Sequence, residues 1–145
     1  MSHFTDTFTT NWFQVTDSEQ LHQLVALAAE NNPDADVPFE LQEGRLQSGE
    51  TIYRVIAFEV MEGDFGWRDE DGELTDLGEQ IQSLLCDGEA LRITHIGWHK
   101  GTVHTCNIYM LTWDGQSEYT DLINIQKEMC SKLNIDPKLV EGFRR

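Results

Sequence analysis

The chain has 145 residues, 39% of them hydrophobic, and a formal net charge of −16 from 26 acidic and 10 basic residues. A chain of this length fits one domain, residues 1–145, and buries roughly two-thirds of the surface that its unfolded form exposes. Four Trp and seven Phe are enough for a core, which excludes a disordered tail. The charge excludes direct binding to a nucleic-acid backbone, because that affinity comes from lysine and arginine.

Signals for export or membrane insertion are missing from the sequence, which predicts a cytoplasmic protein. The start, MSHFTDTFTT, has neither the basic residues nor the apolar run of a signal peptide. No apolar segment reaches the roughly 18 residues that a membrane span needs. Cys86, Cys106 and Cys130 are odd in number and widely spaced, which favours free thiols in a reducing compartment over a disulfide framework.

The first half of the chain predicts a strand, a helix and two further strands. Period-two alternation indicates the strands, and helical spacing of apolar residues after a capping box indicates the helix. A proline ends that helix, because the residue before proline avoids helical geometry. The predicted elements are a strand at 11–16, a helix from 16–19 to 31–33 with Leu21, Leu24, Val25 and Ala28 on its apolar face, and strands at 37–42 and 51–61.

The second half repeats this plan and adds a C-terminal helix. Its predicted elements are a strand at 64–68, a helix capped at 76–79 with Leu77, Ile81, Leu84 and Leu85 on one face, strands at 89–99 and 103–113 about a turn at Lys100-Gly101, a final helix carrying Tyr119, Leu122, Ile123, Gln126, Met129, Cys130 and Leu133, and a short turn from Asp136-Pro137. The sequence therefore predicts an α+β fold. Two βαββ units form an antiparallel or mixed sheet with helices mainly on one face, plus the C-terminal helix.

The stretch GDFGWRDEDGELTDLGE (63–79) concentrates seven carboxylates in 17 positions. A calcium loop with Gly72 at the glycine position would need ligands at Trp67 and Gly78, and neither side chain can provide one. Asp71-Gly72 is typical of a turn. Asp76 and Glu79 also have a structural role at a helix N-terminus, worth about 0.3–1 kcal/mol each.

An aromatic residue surrounded by carboxylates is typical of a binding hot spot for a basic partner. Trp67 has this setting, although it would look the same if it only attached the loop to the core. The predicted partner-binding residues are Glu59, Glu62, Asp64, Trp67, Asp69, Glu70, Asp71, Glu73 and Asp76.

A second cluster consists of His95, His99, His104 and Cys106. If Lys100-Gly101 forms a two-residue turn, His99 faces Thr102, and His95 faces Cys106, so the four candidate ligands share one face of the hairpin. Such a set is able to hold zinc or another transition metal. The alternative is a packed sheet face, and a shift of one residue in register would separate the ligands.

Catalytic motifs are not found: the sequence has no P-loop, no GxSxG and no HExxH motif. A nucleophilic Cys106 beside His95 would lack an identified orienting acid and oxyanion donor. The sequence therefore predicts a protein that is not an enzyme and that needs no cofactor, with zinc as the alternative.

TNWFQVTD, followed by an amphipathic helix, and DGEALRITHIGWHKGTVHTCNIYMLT resemble segments of small uncharacterised acidic accessory proteins of phages, plasmids and integrative mobile elements. The resemblance implies a stoichiometric inhibitor of host defence and transfers no catalytic residue.

These observations favour a non-enzymatic acidic protein that inhibits a basic, nucleic-acid-handling partner by nucleic-acid mimicry, such as an anti-CRISPR or anti-restriction protein. The expected partner is a basic protein or nucleoprotein complex, with no membrane association, and homodimerisation is open. Three alternatives stay open: an immunity or antitoxin protein for a basic nuclease toxin, a metal-binding protein, and an acidic housekeeping domain without a special partner.

Overall fold

A computed structural model describes residues 4–32, 37–60, 64–99 and 102–140. Within these ranges the chain has eight strands, three α-helices and one short 3-10 turn. The elements are β1 Phe4–Thr10, α1 Ser18–Glu30, β2 Val37–Arg45, β3 Thr51–Val60, β4 Gly66–Arg68, β5 Leu74–Asp76, α2 Leu77–Gln82, β6 Ala90–His99, β7 Thr102–Thr112, β8 Ser117–Asp121, α3 Leu122–Leu133 and the 3-10 turn Pro137–Val140. The predicted α+β class and the C-terminal helix are confirmed.

Six of the strands form one sheet in the order β2-β3-β1-β6-β7-β8, and every neighbouring pair is antiparallel. β1 lies in the middle, between the β2–β3 hairpin and the β6–β7 hairpin. β4 and β5 form a separate two-stranded hairpin. The predicted pair of βαββ units is not confirmed, because β4, the first strand of the second unit, pairs with β5 outside the main sheet.

The core lies where α1 and α2 cover one face of the sheet. The residues that build it come from both helices, from five strands of the sheet and from two connecting segments: Phe8, Phe13, Leu21, Leu24, Val25, Ala28, Phe39, Tyr53, Val55, Ala57, Leu77, Ile81, Leu85, Leu91, Ile93 and Leu111. Burial of this apolar surface is the main stabilising contribution to the fold. All four residues of the predicted apolar face of α1 are buried.

α1 has the limits that its sequence predicts. The Asp17 carboxylate accepts a hydrogen bond from the backbone N–H of Gln20 at 3.0 Å, which satisfies a donor that the first turn leaves unpaired. The helix ends at Glu30, and Asn31 is the C-cap.

The first predicted strand is wrong. Residues 11–16 do not form a strand, and β1 precedes them. Phe13 and Val15 make only isolated bridges, to Tyr53 and Leu85. The alternation of apolar and polar residues in 11–16 therefore comes from a connecting segment whose apolar side chains pack on the core. This segment has no continuous ladder of hydrogen bonds to a neighbouring strand.

Elements of the second half are shorter than predicted. α2 ends at Gln82, so Leu84 and Leu85 pack on the core from the turn that follows it. Tyr119, predicted to belong to the last helix, lies in β8, the edge strand that precedes α3. The predicted turn residues Lys100 and Gly101 lie outside the described residues.

The predicted apolar face of α3 is largely exposed. Cys130 is the residue of this helix that is buried. Ile123, Met129 and Leu133 are 63%, 56% and 66% exposed. In the described part of the chain, α3 therefore presents a large apolar face to solvent.

Candidate functional site

Residues 66–76 of the acidic stretch form the β4–β5 hairpin, and its turn is organised by one of its own carboxylates. The side chain of Asp69 accepts hydrogen bonds at 2.9 Å from the backbone N–H groups of Asp71 and Glu73. Gly72 has φ +80°, a conformation that glycine adopts without steric strain. Glu70, Asp71 and Glu73 are exposed at the end of this turn.

The hairpin is attached to the core at its base. Trp67 is half-buried and packs against the core cluster. The buried amide of Asn32, just after α1, donates to the carbonyls of Ala28 at 2.7 Å and Gly66 at 3.0 Å. A helix end and the hairpin therefore share one buried side chain, which fixes the position of the acidic turn.

Several of the predicted partner-binding carboxylates have structural roles. Asp64 pairs with Arg68 at 3.1 Å. Asp69 forms the turn, and Asp76 is the N-cap of α2. The side chain of Glu59 and the whole of Glu62 lie outside the described residues.

The predicted metal face on the β6–β7 hairpin does not form as expected. His99 faces Thr102, as predicted, but a bulge after Trp98↔Val103 shifts the register. His95 therefore faces Asn107, and Cys106 faces Ile96. Because successive strand residues point to opposite faces, this shift places Cys106 on the face opposite to His95.

His104 is the additional residue of the bulge on β7, and its side chain is not described. Among the described residues, no group of three or more His, Cys, Asp or Glu side chains is arranged to hold a metal ion.

His95 instead forms a buried pair with a residue of the neighbouring strand. Its Nε2 donates to the carboxylate of Asp6 at 2.6 Å, and its ring stacks on Phe8 with centroids 4.4 Å apart. The amide of Asn107 donates to Nδ1 at 3.4 Å. Both polar members of the pair are satisfied, as buried polar groups in native proteins normally are.

A cavity of about 460 Å³ opens between the hairpin and the sheet. This volume is within the usual range for ligand sites, roughly 300–1,000 Å³. It is lined by Phe8, Asp64, Phe65, Leu74, Asp76, Glu79, Ile93, His95, Tyr109, Met110, Leu111, Ser117, Glu118 and Tyr119. Among these described residues four are acidic, and none is Lys or Arg.

Two tyrosines form one side of the cavity. The rings of Tyr109 and Tyr119 are 4.8 Å apart and tilted by 40°. Burial raises the pKa of Tyr109, and the carboxylate of Asp76 raises it further, whereas a hydrogen bond from Asn107 acts in the opposite direction. Loss of surrounding water and the Asp121 carboxylate raise the pKa of Tyr119. Both phenols therefore stay neutral at physiological pH.

The sequence alone does not identify this cavity. It predicts partner binding for Asp64 and Asp76 and metal binding for His95, but it does not single out Tyr109 or Glu118. The lining residues are distant in sequence and meet only when β8 completes the sheet edge.

Comparison with protein-family models, curated proteins and solved structures found no match. Within the described residues, no helix is both long enough and apolar enough to cross a membrane.

Proposed function

We propose that this chain is a non-enzymatic binding protein that engages a basic protein surface through the β4–β5 hairpin. The observation that carries the proposal is the exposure of Glu70, Asp71 and Glu73 at the end of a turn that is held by Asp69 and attached to the core by Asn32. Such carboxylates are presented to a partner with little further ordering, which limits the entropic cost of binding.

The proposed partner is a nucleic-acid-handling protein or nucleoprotein complex, because its phosphate-binding groove carries the required lysine and arginine residues. Duplex DNA has one charge per about 1.7 Å of axis, so closely spaced carboxylates imitate a short stretch of backbone. Inhibition would follow from occupation of the groove. The protein would then act as an anti-defence inhibitor, of the anti-CRISPR or anti-restriction kind.

We expect the double substitution Glu70→Lys/Asp71→Lys to lower the association rate with the partner by about tenfold or more, because steering by opposite charge accelerates encounter. The partner would first be isolated by affinity capture from host cells, and the rates measured by surface plasmon resonance at low and high salt. Wild-type association should slow steeply with salt.

The matched control is Glu43→Lys/Asp87→Lys, which changes the net charge equally at two exposed positions. Both control positions are near the segment around Phe13 and Val15 that leads into α1, whereas the hairpin contacts the opposite end of that helix. Equal effects of the two double variants would contradict a specific role for the hairpin. The identity of the captured protein would separate a defence inhibitor from an immunity protein for a nuclease toxin.

We also propose that the protein self-associates through α3. Residues 122–145 carry five basic and three acidic residues, a net charge of +2, whereas residues 1–121 carry five basic and 23 acidic residues, a net charge of −18. By helical spacing, Lys127 and Lys132 flank the exposed apolar face on either side. Residues 122–145 of one copy are therefore complementary in charge to residues 1–121 of a second copy.

Sedimentation velocity tests this proposal. The wild-type protein is expected to form dimers, and Met129→Gln/Leu133→Gln to be monomeric with an unchanged melting temperature, because both side chains are exposed in a single copy. Leu27→Gln, at an exposed leucine of α1, should remain dimeric. A wild-type protein that stays monomeric at high concentration would refute self-association.

A further inference from the structure

The six-stranded sheet has an outer face, which is the face opposite to α1 and α2. On β6, Leu91 and Ile93 are buried in the core, so the alternation of a strand directs Ile96 and Trp98 to the outer face. Val103 pairs with Trp98 across the β6–β7 hairpin and therefore lies on the same face. The register of the other strands extends this assignment across the sheet.

The outer face carries an apolar patch, whereas the uncovered side of an antiparallel sheet is normally polar. Trp98, Val103 and Met110 are 38%, 40% and 47% exposed. Thr7 and Thr9 of β1 join the apolar residues of β3 to those of β6. Exposed apolar patches of this kind mark surfaces that another element covers. The patch consists of Ile56, Ile96, Trp98, Val103, Ile108 and Met110.

In the described part of the chain the outer face has no net charge, although residues 1–121 together carry −18. Two acidic side chains, Glu40 and Glu118, and two basic side chains, Arg54 and Arg92, point outward. Both acidic residues lie on the edge strands, β2 and β8. A second copy therefore approaches this face without the repulsion that the other surfaces of the two chains produce.

α3 has an apolar stripe that matches the patch in size. At 3.6 residues per turn, Leu122, Met129 and Leu133 lie within about 40° of one another around the helix axis. Twelve residues give a helix about 18 Å long and about 10 Å wide. Two strands about 4.8 Å apart, over six residues at about 3.4 Å each, occupy roughly the same area. One helix therefore has the dimensions of the β6–β7 part of the outer face.

α3 of the same copy leaves both surfaces exposed. This helix starts at the end of β8 and contacts β7 and β8. Trp98 and Met110 on the outer face, and Met129 and Leu133 on the helix, all stay more than a third exposed. Two copies that exchange their helices would cover both surfaces at once, and such a reciprocal exchange closes a dimer with two-fold symmetry.

We propose that α3 of each copy packs on the outer face of a second copy, with its apolar stripe across β6 and β7. This inference rests on the self-association through α3 proposed above, and it identifies the surface that receives the helix. The occupant of the outer face is therefore a helix with a net positive flanking segment, residues 122–145, from an otherwise identical chain.

Val103→Gln/Met110→Gln, the outer-face variant, tests the receiving surface by sedimentation velocity. We expect it to raise the dimer dissociation constant at least about tenfold, as Met129→Gln/Leu133→Gln, the α3 variant, does, because polar groups replace apolar contacts. Leu46→Gln/Leu74→Gln replaces two exposed leucines away from the outer face and should leave the dimer unchanged. Unchanged melting temperatures establish that folding is intact, and Met110→Gln alone replaces the double variant if its melting temperature falls.

Mixing the two variants tests the contact directly by NMR. The isotope-labelled α3 variant has an intact outer face, and the unlabelled outer-face variant has an intact α3. Adding the second protein to the first should shift the indole resonance of Trp98, because one of the two contacts is restored. Adding the unlabelled α3 variant instead supplies no intact helix, so that resonance should not move.

The outcomes separate this inference from the proposal on which it rests. An outer-face variant that stays dimeric, beside a monomeric α3 variant, would mean that α3 pairs with α3; this inference would then fail and self-association through α3 would stand. A Trp98 resonance that does not move in the mixture would also overturn the inference. A wild-type protein that is monomeric at high concentration, or an α3 variant that stays dimeric, would overturn both.

Discussion

Replacing Gly66 by alanine is expected to lower the free energy of unfolding by about 3 kcal/mol or more. A Cβ atom at this position would lie 2.0 Å from the carbonyl oxygen of Thr75, a backbone atom that cannot rotate away. Relief would require separation of β4 from β5. That movement would also disturb the hydrogen bond from Leu77 N–H to the Phe65 carbonyl, at 2.9 Å, and the bond from Asn32 to Gly66.

Gly72→Ala provides the control within the same hairpin. Gly72 has φ +80°, but a Cβ atom added there would point into open space, so alanine should cost only about 1 kcal/mol of backbone strain. Urea denaturation followed by tryptophan fluorescence measures the free energy of unfolding of both variants. If Gly66→Ala were no more destabilising than Gly72→Ala, the close approach of the two strands would not be a constraint.

Phe8→Ala is expected to destabilise the fold by about 3–5 kcal/mol, the usual range for a buried phenylalanine. The Phe8 side chain is only 2% exposed. It stacks on His95 and contacts Phe39 and Phe65, at centroid distances of 6.3 and 5.4 Å. Its removal would leave a void at the point where β1, β2 and the acidic hairpin meet.

Phe58→Ala is the comparison, because Phe58 lies on the adjacent strand β3 but is 37% exposed. Phe58→Ala should lower the free energy of unfolding by clearly less than Phe8→Ala does, by about 1 kcal/mol. Equilibrium denaturation of both proteins measures the difference. Similar losses would mean that the phenylalanine cluster around Phe8 contributes no more than a surface aromatic does.

Those parts of the fold that depend on local pattern could be predicted from the sequence. The buried face and both ends of α1 follow from helical spacing, a capping box at 16–19 and a proline, although the N-cap is Asp17, one residue after the Thr16 of that box. β1 could not be found in this way, because its inward residues include Asp6 and Thr10, which make the strand resemble a polar segment. The inward position of Asp6 is explained only by His95, 89 residues further along the chain.

Less of the candidate site than of the fold could be predicted from the sequence. The acidic hairpin could be recognised from its composition. Composition does not show that Asp69 and Asp76 have structural roles, because those roles depend on hydrogen bonds to the backbone. One bulge on β7 was enough to separate Cys106 from His95, and local pattern does not encode it. The cavity is lined by residues of the hairpin and of β8, two short elements without a regular sequence pattern.

The central position of β1 has a consequence for synthesis of the chain on the ribosome. β1 is synthesised before both of its neighbours, β3 and β6, and its pairing with β6 runs from Phe4↔His99 to Thr10↔Ile93. The β2–β3 hairpin is therefore complete while one edge of β1 still lacks its neighbour. Until residue 99 has emerged from the ribosome, the β6 side of β1 is able to pair with a strand of another copy. The high net negative charge of the chain opposes such pairing, because the copies repel each other.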